Sequence, residues 1–449
     1  MDTNKNTTKA KIRDIKIKKN IIGLSLVRVM SMLLGFFMVP LTLSYLDNTK
    51  YGIWLTLSSV IGWVVILNIG LGSSLQNKLG EAWANGDNKL ARTYVSTTYA
   101  LLIGIILIGN IVFWLINPFL NWAEILNIEK NMLTEINPLV IIVFSFFTFR
   151  LVSNLITTIL AADQRPALSN FIAFLASLLS FGIIYILTLT TNNSLILLGS
   201  SLCVITAVVP FIASIWFFKN DYHTISPSFK FIDFSKIKIL FGQGIQFFLL
   251  QAASIILSMT DMIIIVQLYG PDEVVPYNIA FKLFGYVIIF FGILTTPFWA
   301  AYNEAYNQHD FAWIERVTNK LLKIWVFVML GVLLLIGISG YIYHIWIGDQ
   351  VLIPKSLSLF MGIYVIIQTM NSIFSTFIFA TGKIRVLTIS AIFVGTINIP
   401  LCFIFAKTLE FGLSGIIMST AVCALFNLTL GFIQYFKIIK NQDKGIWSK

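Results

Sequence analysis

A chain of 449 residues that is 57% hydrophobic and only 11% charged falls outside the soluble globular class, in which about 25% of residues are charged. Its net charge of +11 comes from lysines and arginines spread over many short polar stretches, which excludes the clustered basic face of a nucleic-acid-binding protein. Three cysteines inside apolar stretches and three histidines far apart in sequence offer no pattern for a disulfide scaffold, a metal site or a His-based catalytic centre.

Residues 1–19 are polar and carry seven basic side chains. The apolar run that follows is too long for a signal-peptide core and has no small-residue cleavage site, so no cleaved leader is expected. Hydropathy and breaks then give twelve spans: 20–46, 51–76, 93–117, 136–162, 167–190, 194–218, 238–269, 275–301, 318–344, 353–380, 386–407 and 411–436. These runs are continuous rather than alternating, and about 20 apolar residues suffice to cross a bilayer, so they read as helices and not as barrel strands. The largest loop on the far side, 118–135, is too short for a folded domain. The expected fold is therefore an all-α polytopic membrane protein with two six-helix bundles, 20–218 and 238–436. A linker at 219–237 joins them, after the basic segment 1–19 and before a tail at 437–449.

Twelve spans place both termini on one side. The loops on that side hold 24 lysines and arginines, against four on the other (Lys50, Lys130, Lys355 and Lys407), so both termini are expected in the cytoplasm. Three basic residues are left inside spans: Arg28, Arg150 and Lys282. One acid, Asp261, joins them there. A charge in hydrocarbon costs from about 3 to well over 10 kcal/mol and calls for a partner, a wet cavity or an anionic ligand.

Polar neighbours mark the faces these charges occupy. At 100° per residue, Gln243, Gln251, Ser254, Ser258 and Asp261 share one face of span seven. Arg150, Asn154, Thr157 and Thr158 form a stripe on span four, Gln368, Asn371 and Ser375 one on span ten, and Asn278, Lys282 and Tyr286 follow at i, i+4 and i+8 on span eight. Asp261 and Lys282 lie at similar depth on neighbouring spans, as either a structural ion pair or a switchable one in which Asp261 takes a proton or Na⁺. Arg28 is close enough to the cytoplasmic end to snorkel, or to meet an anionic headgroup there. Arg150 is near mid-span, and a guanidinium suits phosphate because its planar fork engages two oxygens. Tyr277, Tyr286, Trp299 and Tyr302 either stack on sugar rings or pack as belt and core aromatics.

The halves echo each other. Glu81-Ala82-Trp83 with Asp87 recurs as Glu304-Ala305-Tyr306 with Asp310, after the second span of each half. This points to parallel six-helix repeats, a plan common among transporters. The motif itself reads as an interfacial helix end with a satisfied charge pair, or as a gate.

The stretch from Val27 to Trp83, VRVMSMLLGFFMVPLTLSYLDNTKYGIWLTLSSVIGWVVILNIGLGSSLQNKLGEAW, resembles the opening of polysaccharide-export flippases of the Wzx or O-antigen translocase type. These belong to the multidrug/oligosaccharidyl-lipid/polysaccharide (MOP) superfamily. The cues are the arginine in span one, Pro40 before the loop ending Lys50-Tyr51-Gly52, and Gly70-Leu71-Gly72. Phe411-Gly412-Leu413-Ser414-Gly415 resembles the family's start of the last span. The resemblance implies a MATE-like, V-shaped pair of bundles around a cationic cavity in the bacterial inner membrane. It implies transport of undecaprenyl-pyrophosphate-linked oligosaccharide between leaflets, with membrane lipids and other polysaccharide-assembly membrane proteins as partners, and without a resident cofactor or enzymatic chemistry. H⁺ or Na⁺ would be the coupling ion. Arg28, Arg150, Lys282, Asn154, Gln251 and Tyr286 are the expected substrate contacts, and Asp261 the ion-coupling or ion-pair residue. A cation-coupled multidrug antiporter of the same superfamily is the alternative; it would favour acids over bases in the cavity, and the count here is one to three.

Overall fold

The structure is a computed structural model that describes the backbone of residues 2–68, 70–242, 252, 259–442 and 444–448, and the side chains of 23, 25–68, 70–240, 252, 259–299, 301–442 and 444–448. Gln251, with its neighbours Gln243, Ser254 and Ser258, lies outside the described residues. Eleven stretches are long and apolar enough to cross a membrane among the described residues, from Ser25–Tyr45 to Leu413–Ile439, and a shorter apolar helix runs over Met259–Tyr269. The protein is an all-α multi-pass membrane protein.

The chain forms two compact units. The first holds residues 1–47, 61–125 and 129–248. Its helices are α1 (Asp2–Tyr45), α3 (Leu71–Ala84), α4 (Asn88–Ile116), α5 (Trp122–Ile125), α6 (Leu133–Ser153), α7 (Leu155–Ala162), α8 (Pro166–Thr190), α9 (Leu195–Lys219) and α10 (Ile237–Gly242). α1 packs on α8, α8 and α6 on α9, and α3 on α4 and α7. Leu71, Leu75 and Leu79 recur every four residues along α3, so one face of that helix is buried, against Ala91, Val95 and Leu102 of α4 and Ile156 and Ile159 of α7. At the polar end of this unit Arg165 bonds Asp221 at 2.6 Å and Asp163 at 2.9 Å, while the Tyr222 hydroxyl donates to Asp163 at 2.8 Å. The Asp221 contact raises the Arg165 pKa above its ordinary value, with the nearby Asp163 charge adding to it.

The second unit holds residues 48–60, 126–128 and 249–449, so the first part of α2 (Asn48–Gly62) belongs with the C-terminal half rather than with 20–218. Its contacts there are specific: Ser59 donates to the Met259 carbonyl at 2.8 Å, Thr49 to Asp272 at 2.7 Å, and Gly52 leaves no room for a Cβ beside the Pro271 carbonyl. The remaining helices are α11 (Met259–Tyr269), α12 (Val274–Thr295), α13 (Phe298–Asn307), α14 (Phe311–Ile347), α15 (Lys355–Thr381), α16 (Arg385–Phe403) and α17 (Leu413–Ile439). α15 is central, packing on α12, α14 and α17, and Phe374 and Phe377 anchor a core with Tyr302, Ile314 and Tyr435.

The repeated motif has the same backbone in both units. Each copy ends one helix and starts the next. The amide of Asp87 donates to the Ala82 carbonyl at 3.0 Å, and that of Asp310 to the Ala305 carbonyl at 2.9 Å. The Asp87 carboxylate then accepts from the Leu90 amide at 2.8 Å, and the Asp310 carboxylate from the Trp313 amide at 3.0 Å, capping α4 and α14. The motif is helix punctuation. The copies differ at the left-handed position, Gly86 at φ 70° in the first and His309 at φ 57° in the second. A side chain in this region costs about 1–2 kcal/mol. His309→Gly is therefore expected to raise the thermal midpoint, by about 1 kcal/mol of stability, in a detergent thermal-shift measurement; a fall would mean that the imidazole makes a compensating contact.

Candidate functional site

Two breaks in the helices of the first unit meet at one place. The sequence reads span two as one helix over 51–76. Instead α2 gives way to a 3₁₀ segment, Trp63–Asn68, and α3 starts only after Gly70, whose φ of 70° is left-handed. Span four breaks as well: α6 ends at Ser153, Asn154 caps it, and α7 resumes at Leu155. The Asn154 carbonyl is taken up by Thr157, by its amide at 3.0 Å and its hydroxyl at 2.7 Å. Broken helices are tolerated at membrane depth where they line a cavity, and such breaks mark binding sites in transporters.

Arg150 stands at this junction. A cavity of about 250 Å³ lies on one side of it, lined also by Asn68, Phe147, Asn154 and Thr158. A second, of about 210 Å³, lies on the other, lined by Asn154, Ser169, Asn170, Ser177 and Thr206. Arg150, Asn154 and Thr157 line both. The Arg150 guanidinium carbon sits 5.7 Å from the centroid of the Phe147 ring, within cation–π range. Among the described residues no carboxylate pairs with it and no acceptor hydrogen-bonds it. Its donors are thus available to a ligand. The second cavity adds hydroxyls and an amide, the groups that meet sugars: Thr206 and Ser177 donate to carbonyls of their own helices, which leaves their oxygens as acceptors.

The other expected contacts do not gather here. Arg28 is half-buried on α1 and lines neither cavity; Leu26, Met30 and Leu33 around it are exposed apolar side chains, the setting of a lipid-facing helix. Lys282 and Tyr286 lie on α12 in the second unit, and so does Asp261, on α11. The Asp261–Lys282 ion pair expected from their equal depth is not formed. The Asp261 carboxylate instead accepts from the Tyr277 hydroxyl at 2.6 Å and, at the edge of bonding range, from the Thr420 hydroxyl at 3.5 Å. Depth is not orientation: Tyr277 of α12 faces Asp261, and Lys282, five residues on, points about 140° away around the helix. Tyr277 and Tyr302 are buried core side chains, Tyr302 bonded to Thr318 at 3.0 Å, so neither is a sugar platform.

Asp261 is 4% exposed, and its Oδ1 is buried without a hydrogen-bond partner among the described residues. Asn398 donates to Thr420 at 3.3 Å, and Cys402 contacts Ser419 at 2.7 Å, so hydroxyl, amide and thiol groups continue from the carboxylate into the second unit. Asn68, Ser169, Asn170, Thr206, Thr420 and Asn398 were not singled out from the sequence. Only Gly70 flagged the first break; the remaining polar residues look like ordinary helix polars until the packing brings them together.

The family model described as "Polysaccharide biosynthesis protein" matches residues 17–296. A candidate O-antigen export protein of Yersinia pseudotuberculosis is 23% identical over 438 residues, covering 94% of this chain and 95% of its own. A candidate O-antigen transporter of Salmonella typhi is 23% identical over 309 residues, 68% of this chain and 70% of its own. Among solved structures, the inward-facing conformation of a multidrug resistance MATE family transporter of the MOP superfamily superposes with a TM-score of 0.76 at 15% identity, covering 94% of this chain and 98% of its own, which establishes a MATE-like fold. Its many apolar helices and its bacterial relatives make it a multi-pass protein of the bacterial inner membrane. The chain belongs to the polysaccharide biosynthesis protein family.

Proposed function

We propose that the protein is a flippase that carries an undecaprenyl-pyrophosphate-linked oligosaccharide, of the kind used to build O-antigen, capsule or exopolysaccharide, from the inner to the outer leaflet by alternating access. The observation that carries this reading is Arg150, a half-buried guanidinium with no carboxylate partner among the described residues, lining two cavities where two helices break. In this role the guanidinium holds the pyrophosphate, and Asn154, Thr157 and the hydroxyls of α8 and α9 meet the first sugars. Lys282 and Tyr286 of α12 are further substrate contacts, and Arg28 meets the headgroup on entry. Asp261 carries the coupling proton or Na⁺. The names of the O-antigen relatives support the polysaccharide cargo. An unpaired cation speaks against a cationic drug as the cargo, because like charges repel in a low-dielectric cavity.

The experiment is transport in proteoliposomes loaded with a fluorescent lipid-linked oligosaccharide. The protein is expected to expose the sugar to an externally added lectin at least about tenfold faster than protein-free vesicles. A rate equal to that of empty vesicles, with ethidium moved in its place, would assign the chain to drug transport.

A further inference from the structure

The first unit has a second cavity system that the transport reading does not use. A groove of about 660 Å³ lies between α4, α6 and α9, with almost entirely apolar walls. Its rim includes Leu107, 57% exposed, so it opens on the outer surface of the bundle, where lipid stands. It is separate from the Arg150 site. α6 turns Ser145, Thr148 and Val152 to the groove, while Arg150 and Asn154 line the two cavities on its opposite side.

The groove has a length and a polarity. Along α4 it runs from Tyr99 to Asn110, eleven residues or about 17 Å. That is close to half of a hydrocarbon core of about 30 Å, the reach of one acyl chain. Its inner end carries polar groups, with Asn110 donating to Thr148 at 2.9 Å. Its mouth is formed by Lys219, Ser226 and Pro227, on the face that the lysine and arginine counts assign to the cytoplasm.

The mouth is cationic and well built. Arg92 Nε donates to the Ser226 carbonyl at 2.9 Å, and its guanidinium lies 4.4 Å from the centroid of the Phe231 ring. Two further bonds pin the linker to α4: Ser228 N to Ser96 at 3.1 Å and Asp233 N to Thr97 at 3.0 Å. The linker then presents Phe229, 94% exposed, next to Lys230. An exposed aromatic beside lysines at a membrane edge is the pattern of an interfacial anchor on anionic lipid.

We propose that this groove holds one acyl chain of an anionic glycerophospholipid from the linker-side leaflet, with its phosphate against Lys219 and Arg92. The length of about 17 Å matches one acyl chain rather than a polyprenyl carrier, whose chain is several times longer. The cationic mouth selects an anionic headgroup over a zwitterionic one.

The test is lipid retention by the full-length protein, purified in neutral detergent and titrated with phosphatidylglycerol or phosphatidylcholine, read by native mass spectrometry. Phosphatidylglycerol is expected to bind about tenfold more tightly than phosphatidylcholine. Leu107→Trp, which fills the groove from its exposed rim, and Lys219→Glu, which reverses the mouth, are each expected to weaken phosphatidylglycerol binding about tenfold. Ile103→Trp repeats the groove test should Leu107→Trp fail to give a monodisperse protein. Equal retention of the two lipids, or unchanged phosphatidylglycerol binding in the groove and mouth variants, overturns the proposal. Displacement of phosphatidylglycerol by equimolar undecaprenyl phosphate in the wild type, but not in the groove variant, overturns it too and makes the groove a carrier site.

Discussion

Arg150→Ala is expected to abolish transport while leaving the protein inserted, monodisperse and at least as stable as the wild type. The two halves of this result have different causes. A bidentate guanidinium–pyrophosphate contact supplies two charge-assisted hydrogen bonds of about 1.5–3 kcal/mol each, so its loss lowers substrate affinity by about 100-fold or more. The fold, in contrast, gains little from this charge: the Phe147 ring stands at 5.7 Å and no carboxylate pairs with it among the described residues. A charge held at membrane depth without a counter-charge is costly, and alanine removes that cost. Arg150→Lys is expected to fall between, because it keeps the charge and loses the fork. The measurements are surface glycan in a complemented deletion strain and a thermal midpoint in detergent. Normal surface glycan with Ala at 150 would remove Arg150 from the site; loss of the folded protein would show that it is a structural residue instead.

The second large effect is expected at Asp261. Asn at this position keeps the shape and an acceptor for the Tyr277 hydroxyl at 2.6 Å, and loses the capacity to gain and release a proton or to neutralise a cation. In proteoliposomes with an imposed pH or Na⁺ gradient, the wild type is expected to respond to one of the two gradients several-fold. Asp261→Asn is expected to run at one rate with or without it. A variant that still follows the gradient would make the carboxylate a packing element of the α11–α12–α17 core. Comparing the two gradients identifies the ion.

Much of this arrangement was legible in the sequence, and its failures have a common cause. Hydropathy locates helices because lipid demands long apolar runs, and the 100° stripe of Arg150, Asn154 and Thr157 did mark a cavity face. What hydropathy does not carry is backbone winding. Trp63–Asn68, WVVILN, is as apolar as any helix, and its 3₁₀ form is signalled only by Gly70 two residues on. Rotation is lost in the same way. Residue counting from the turn near Asp272 placed Asp261 and Lys282 at equal depth, but the 3₁₀ turn Pro271–Glu273 and the phase of α12 turn Tyr277, not Lys282, toward the carboxylate. The duplicated Glu-Ala-aromatic motif was visible as a spacing of 223 residues; its role as helix punctuation needed the hydrogen bonds.

The 3₁₀ segment is longer than an α-helix of the same residues would be. A residue rises about 2.0 Å in a 3₁₀ helix and about 1.5 Å in an α-helix, so rewinding the six residues Trp63–Asn68 would shorten this stretch by about 3 Å. Asn68 would travel with it and rotate, since each residue turns about 100° rather than 120°. That stroke is about the length of one hydrogen bond, enough to exchange Asn68 between the Gly72 amide it now caps at 3.4 Å and a group in the neighbouring cavity. Such rewinding beside Arg150 would shift a cavity-lining side chain without a hinge loop.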